Sequence, residues 1–144
     1  MADTQTYANH TRWHPPFHFF VMPVMLINFF WSIAECVMHP GWNEGRWIVV
    51  SAALVGLAFL ARINALKVQD RIIRLEERLR YRQLLPADLA QQAASLRTGQ
   101  IIALRFASDE ELESLVRDVL AGRLTKPAEI KKAIKNWRGD TFRV

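Results

Sequence analysis

The chain has 144 residues, 51% of them hydrophobic, with 19 Lys and Arg against 14 Asp and Glu and a net charge of +5, which bounds it to about one domain's worth of structure. A mean hydropathy of +0.01 averages two unlike parts: only Arg12 and Arg46 among the basic residues precede Arg62, and from Arg62 onward 17 basic residues face 11 acidic ones. Cys36 is the single cysteine, which excludes an internal disulfide and a cysteine-based zinc cluster.

Residues 1–16 form a polar tail ending in Trp13-His14-Pro15-Pro16, whose prolines stop a regular helix from running back out of the apolar segment that follows. From Phe17 to Met38 the sequence FHFFVMPVMLINFFWSIAECVM is roughly 33 Å long as a helix, enough for a hydrocarbon core of about 30 Å. It is too long for a signal-peptide core and no cleavage pattern follows it. Glu35 just before Cys36 likewise departs from a lipoprotein signal. Pro23 falls in the second turn, where it either kinks the helix or removes few hydrogen bonds.

His39-Pro40-Gly41-Trp42-Asn43-Glu44-Gly45-Arg46 is rich in turn formers and short, so the next span returns antiparallel. The second span runs from Trp47 to about Leu66, with Arg62 near its end, where the side chain can reach the headgroups. Trp42 and Trp47 mark one interface, Trp13 and Phe17 the other. The loop between the spans holds Arg46 alone, whereas Arg62, Lys67, Arg71, Arg74, Arg78, Arg80 and Arg82 follow the second span. The positive-inside rule then predicts both termini in the cytoplasm. Ala52 and Gly56, one turn apart, predict a close approach of the first span.

No Pro or Gly interrupts the chain between Gly56 and Pro86, so the second span is predicted to continue as one helix to about Arg82. From Trp47 that is roughly 54 Å, about 24 Å beyond the hydrocarbon core. Ala65, Val68, Ile72, Leu75 and Leu79 form a short a/d seam of under three heptads. Asp70 with Arg74 and Glu76 with Arg80 are spaced for ion pairs on an exposed helix face.

Residues 86–144 predict a small bundle of short helices. Pro86-Ala87-Asp88 opens one that covers Leu89 to Ala94. Residues 100–106 suit either a helix capped by Thr98 or a strand, with the helix preferred. Ser108-Asp109-Glu110-Glu111 is a capping box before Leu112, Leu115, Val116, Val119 and Leu120, with Gly122 as the stop. Thr125-Lys126-Pro127 opens the last helix, with Ile130, Ala133, Ile134 and Trp137 on one face. The fold class is therefore all-α: a two-span helical hairpin, a long helical extension and a small cytoplasmic helical domain.

Sites for chemistry are sparse. His10, His14 and His18 are spaced by four, but Pro15 and Pro16 break the helix that would align them. His39 is a helix length away, and the second span has no histidine, so neither a metal centre nor a haem is expected. Glu35 is the only acid inside a span and Asn28 lies at mid-span: Glu35 is read as an interfacial carboxylate satisfied by His39, Arg46 or water, and Asn28 as an interhelical hydrogen-bonding group. Lys126, Lys131, Lys132, Lys135, Arg138 and Arg143 with Trp137 are the candidates for binding phosphate groups, of lipid or of a polynucleotide, with a solvated helix face the preferred reading since charge alone specifies no partner. Acidic residues interleave the basic run 62–82 and no groove-reading motif accompanies it, so nucleic acid is not the expected partner. No phosphate loop, nucleophile elbow or HExxH is present, and no enzymatic activity or cofactor is expected.

Asn9-His10-Thr11-Arg12, Ala61-Arg62-Ile63-Asn64-Ala65-Leu66-Lys67-Val68-Gln69-Asp70-Arg71, Leu104-Arg105-Phe106-Ala107-Ser108-Asp109 and Ile134-Lys135-Asn136-Trp137-Arg138 together resemble a family of small, uncharacterised two-span bacterial membrane proteins. The resemblance implies a bacterial inner-membrane setting and brings no activity, ligand or catalytic residue. The reading that follows is a scaffold or accessory subunit, as a homo-oligomer or with a larger membrane protein. A membrane-anchored module for anionic lipid or nucleic acid is the first alternative, and an oligomeric small channel or ion carrier using Asn28 and Glu35 the second.

Overall fold

The computed structural model describes residues 6–7 and 13–140. Asn9, His10, Thr11, Arg12 and Arg143, all named above, lie outside the described residues. The described chain is all-helical and has no strand. Its helices are α1 (Met22–Met38), α2 (Trp42–Leu84), α3 (Ala87–Ala93), α4 (Thr98–Leu104), α5 (Asp109–Leu120) and α6 (Pro127–Ala133). Contacts gather the described residues into two units, 13–66 and 67–140, the second joined by Tyr7.

In the first unit the chain enters α1 through a π-helical turn, Pro16–Val21. The His14 carbonyl accepts the Phe17 and His18 amides at 3.1 and 3.0 Å, and the Met22 amide reaches back to the Phe17 carbonyl, five residues away. This wide turn precedes Pro23, which has no amide to donate, and accommodates the residue without a break in the helix. The connection to α2 is shorter than the sequence implied, because helix resumes at Trp42. Gly41 permits it: a Cβ there would overlap the Glu44 carboxylate, which sits in the first turn of α2 where a negative charge suits the helix dipole.

Pro16–Met38 and Trp42–Leu84 are both long and apolar enough to cross a membrane. Their apolar side chains point outward: Phe19, Phe20, Ile27, Phe30, Trp31, Val49, Leu57 and Leu60 are all exposed, Phe19 at 68%. Residues buried in this unit are Ser32, Ser51 (1% exposed) and Ala58. Polar groups inside and apolar groups outside is the reverse of the arrangement that water imposes.

The second unit has a conventional core. Tyr81, Leu85, Leu89, Ala93, Leu104, Phe106, Leu112, Val116 and Ile130 are buried in one cluster, with Leu96, Leu120, Leu124 and Trp137 against its edge. The core reaches back into α2 through Tyr81, so the compact unit begins before Pro86. Residues left open between helix and strand are helix α4, whose first turn is closed by Gln100 Oε1 accepting the Arg97 amide at 3.0 Å. α5 ends at Gly122, which takes φ of +75°, a conformation that favours glycine.

The last helix departs from expectation. α6 stops at Ala133, and Ile134 turns extended with ψ of 124°. Residues beyond it pair antiparallel with the segment before α5: the Ser108 amide donates to the Asn136 carbonyl at 3.0 Å and the Arg138 amide to the Phe106 carbonyl at 2.8 Å. Trp137 therefore reaches the core by way of an extended strand-like segment, its ring centroid 5.0 Å from that of Phe106.

Candidate functional site

Between α1 and α2 three polar side chains meet. Asn28 Nδ2 donates to Ser51 Oγ at 2.8 Å, the Ser32 hydroxyl donates to the Asn28 carbonyl at 2.8 Å, and the two serine hydroxyls lie 3.0 Å apart. Ser32 sits one turn after Asn28, so both face α2, and small hydroxyl residues let the two backbones approach. Neither serine was singled out from the sequence; a hydroxyl in an apolar helix is common, and no spacing rule ties residue 51 to residue 28.

The small pair on α2 lies elsewhere. Ala52 is exposed, and a Cβ at Gly56 would meet nothing within 4 Å. The face of α2 turned inward carries Ser51 and Ala58 instead, one heptad apart, so Ala52 and Gly56 do not set the approach of the first span. Glu35 is half-buried near the end of α1. The Arg46 guanidinium does not reach it, donating to Asn43 Oδ1 at 2.9 Å and lying 5.4 Å from the Trp47 ring. Toward the other end, Arg62 lies 5.9 Å from the Phe17 ring. His18 Nδ1 accepts the His14 amide at 3.2 Å, capping the entry to α1. His39 closes the far end, its amide bonded to the Glu35 carbonyl at 2.8 Å. Among the described residues no three His, Cys, Asp or Glu side chains come together.

In the second unit a buried arginine is the hub. Arg80 donates through Nη1 to Glu77 Oε2 at 3.3 Å, through Nε and Nη2 to Asp109 Oδ1 at 2.9 and 2.6 Å, and through Nη2 to the Ala107 carbonyl at 2.7 Å. The expected Glu76–Arg80 and Asp70–Arg74 pairs do not form: Arg80 lies on the face of α2 that enters the core with Glu77, while Glu76 is exposed. Burial pushes the Glu77 carboxyl above the usual carboxylate range, against the pull of Arg80, Arg138 and Arg105. Tyr81 beside it is also pushed up, by burial and then by the Glu77 charge.

The predicted basic patch divides. Lys126, Lys132 and Lys135 are exposed; Lys131 is half-buried with Nζ 5.5 Å from the Phe106 ring, and Lys132 Nζ lies 5.7 Å from the Tyr7 ring. Arg138 is exposed with Nη1 3.9 Å from Glu77 Oε1. Trp137 packs on the core edge against Phe106 and so serves the fold. Glu129, which accepts the Thr125 and Lys126 amides at 3.0 Å each, has its pKa held below the usual range chiefly by those amides. An open groove of about 600 Å³ runs along Arg78, Arg82, Ala87, Ala90, Gln91 and Ala94, with Arg78 donating to the Ala94 carbonyl at 3.1 Å.

Comparison with curated proteins and with solved structures gives no match. The profile of one family does match, and over residues 1–144: the chain belongs to a family of unknown function, DUF6526.

Proposed function

We propose that the chain is an integral membrane scaffold or accessory subunit, inserted in a bacterial inner membrane as an α1–α2 hairpin with both termini cytoplasmic and holding its small helical unit at the inner face. The observation that carries this reading is the inverted first unit, with exposed Phe19, Phe20, Phe30, Trp31 and Leu57 around the Asn28–Ser32–Ser51 cluster. Lipid is the solvent in which such an arrangement is favourable, because apolar side chains stay solvated and polar ones find each other. The excess of Lys and Arg after α2's apolar stretch supports the cytoplasmic assignment. The reading includes no catalytic role and expects either self-association or a larger membrane-protein partner.

The test is a reporter fused in turn to each terminus and to the 39–41 connection. Both terminal fusions should be active only in the cytoplasm and the connection fusion only outside it; an external terminus overturns the topology. Purification in mild detergent should bring down a multi-subunit species, and a monodisperse monomer with nothing attached overturns the scaffold role.

A second reading is supported by Lys126, Lys132 and Lys135, exposed on one stretch of the second unit: a module for anionic lipid headgroups. Changing all three to Glu should abolish any preference for phosphatidylglycerol over phosphatidylcholine in reconstitution; an unchanged preference removes this reading.

A further inference from the structure

Between residues 67 and 84 α2 has two apolar faces, and the fold accounts for one. Tyr81 lies in the core of the second unit, and Ile73, Glu77 and Arg80 are buried on the same side of α2. Val68, Ile72, Leu75 and Leu79 lie on the other side and are each more than half exposed. Their spacing of four, three and four is that of successive d, a, d and a positions, and it lies beyond the apolar span, where no lipid would cover it.

We propose that this seam is the contact surface for a second copy of the chain, the two α2 helices pairing as a short, parallel, in-register coiled coil. The flanking charges select that occupant. With Ile72 and Leu79 at a and Leu75 at d, Arg71 is a g residue and Glu76 an e residue. In a parallel pair each g residue faces the e residue five positions on in its partner, so Arg71 of each chain meets Glu76 of the other, twice by symmetry. An antiparallel pair would set Arg71 against Arg78 instead. Arg71 and Glu76 are both exposed and neither makes an ion pair among the described residues. A β-branched a residue, Ile72, followed by a d leucine, Leu75, is the core layer that favours two strands. Under two heptads would not hold free helices together, but two hairpins confined to one membrane meet at high effective concentration and in the same orientation.

This inference rests on the membrane reading for that confinement, so the experiment separates them. In membranes from cells expressing the full chain with Cys36→Ser, Leu75→Cys should form a disulfide-linked pair of chains on mild oxidation, since facing d positions in a parallel coil come within disulfide reach. Lys67→Cys, exposed on a different side of the helix, should not. Equal yields at the two positions, no product at Leu75→Cys, or a product containing another protein overturns the proposal. Absence of the chain from the membrane fraction overturns the membrane reading instead. Arg71→Glu or Glu76→Arg alone should lower the yield about fivefold, and the two together should restore it, as expected for two exposed pairs turned from attraction to repulsion and back. A double variant as poor as the single ones overturns the parallel register.

Discussion

Tyr81 is nearly inaccessible in the core of the second unit, yet its hydroxyl has no hydrogen-bond partner among the described residues. A buried donor without an acceptor is unfavourable, so Tyr81→Phe should leave the unit as stable or raise its stability by about 1 kcal/mol, measured by chemical unfolding of the detergent-solubilised chain. Glu77, one turn earlier, sets a pH dependence of definite sign. Its folded pKa lies above the unfolded one because burial disfavours the charge, so the folded state binds the proton more tightly. Stability from this group is full below the unfolded pKa and is lost as pH rises through the folded pKa. Protection factors of the 98–138 amides, with the intrinsic base-catalysed rate divided out, should therefore fall over that rise in pH, and Glu77→Gln should remove this component. Glu129 has the opposite sign: its pKa is held low, by hydrogen bonds from the Lys126 amide first and then the Thr125 amide, and its contribution disappears as pH falls through the folded value. The sequence could not indicate that Glu77 is the buried carboxylate and Glu76 the exposed one, since both suit an i, i+3 or i, i+4 pair on α2; only the position of the core decides.

The helices themselves were legible, because apolar residues at helical spacing, prolines at starts and Gly122 at a stop are local signals that tertiary structure here does not oppose. The end of α6 was not. Ile130, Ala133, Ile134 and Trp137 continue a helical stripe, so periodicity alone extends the helix to Trp137. The Phe106 ring and carbonyl and the Ser108 amide offer the chain a better partner, and residues 134–138 take the extended course that reaches them. Glu111 fastens this arrangement. Its carboxylate accepts the Ser108 amide at 3.4 Å as the capping box requires, and also the Lys135 and Asn136 amides at 3.1 Å each. Glu111→Ala removes a helix cap and two further acceptors, and should cost about 2 kcal/mol, more than a cap alone. Glu113→Ala, whose carboxylate serves an exposed pair with Arg117, is the comparison and should cost under about 0.5 kcal/mol in the same unfolding measurement.

At the scale of the whole molecule the two units obey opposite rules, and their join falls inside one helix. Sequence made the change from apolar to charged composition readable, since charge appears abruptly at Arg62; it left the partners within each unit unassigned, because hydroxyl groups such as Ser32 and Ser51 carry no periodic signal. Replacing Ser51 by Ala removes the hydroxyl without adding bulk and strands the Asn28 amide, and should weaken the hairpin by about 0.6 to 1.7 kcal/mol, the range for hydrogen bonds between membrane helices. Steric-trap or denaturant titration in detergent checks the size, while alkaline carbonate extraction of the unmodified chain should leave it in the pellet.

Glu111 waits for partners that lie 24 and 25 residues further along the chain, Lys135 and Asn136, and Ser108 and Phe106 wait for Asn136 and Arg138. During synthesis from the N-terminus, the second unit therefore stays open until Asn136 and Arg138 have left the ribosome, with Phe106 uncovered on its Trp137 side. A chain cut after Ala133 keeps all the helices among the described residues and still lacks this clasp. Such a cut should leave the second unit more open to proteases than one made beyond Arg138, because the pairing of residues 136–138 with 106–108 is lost.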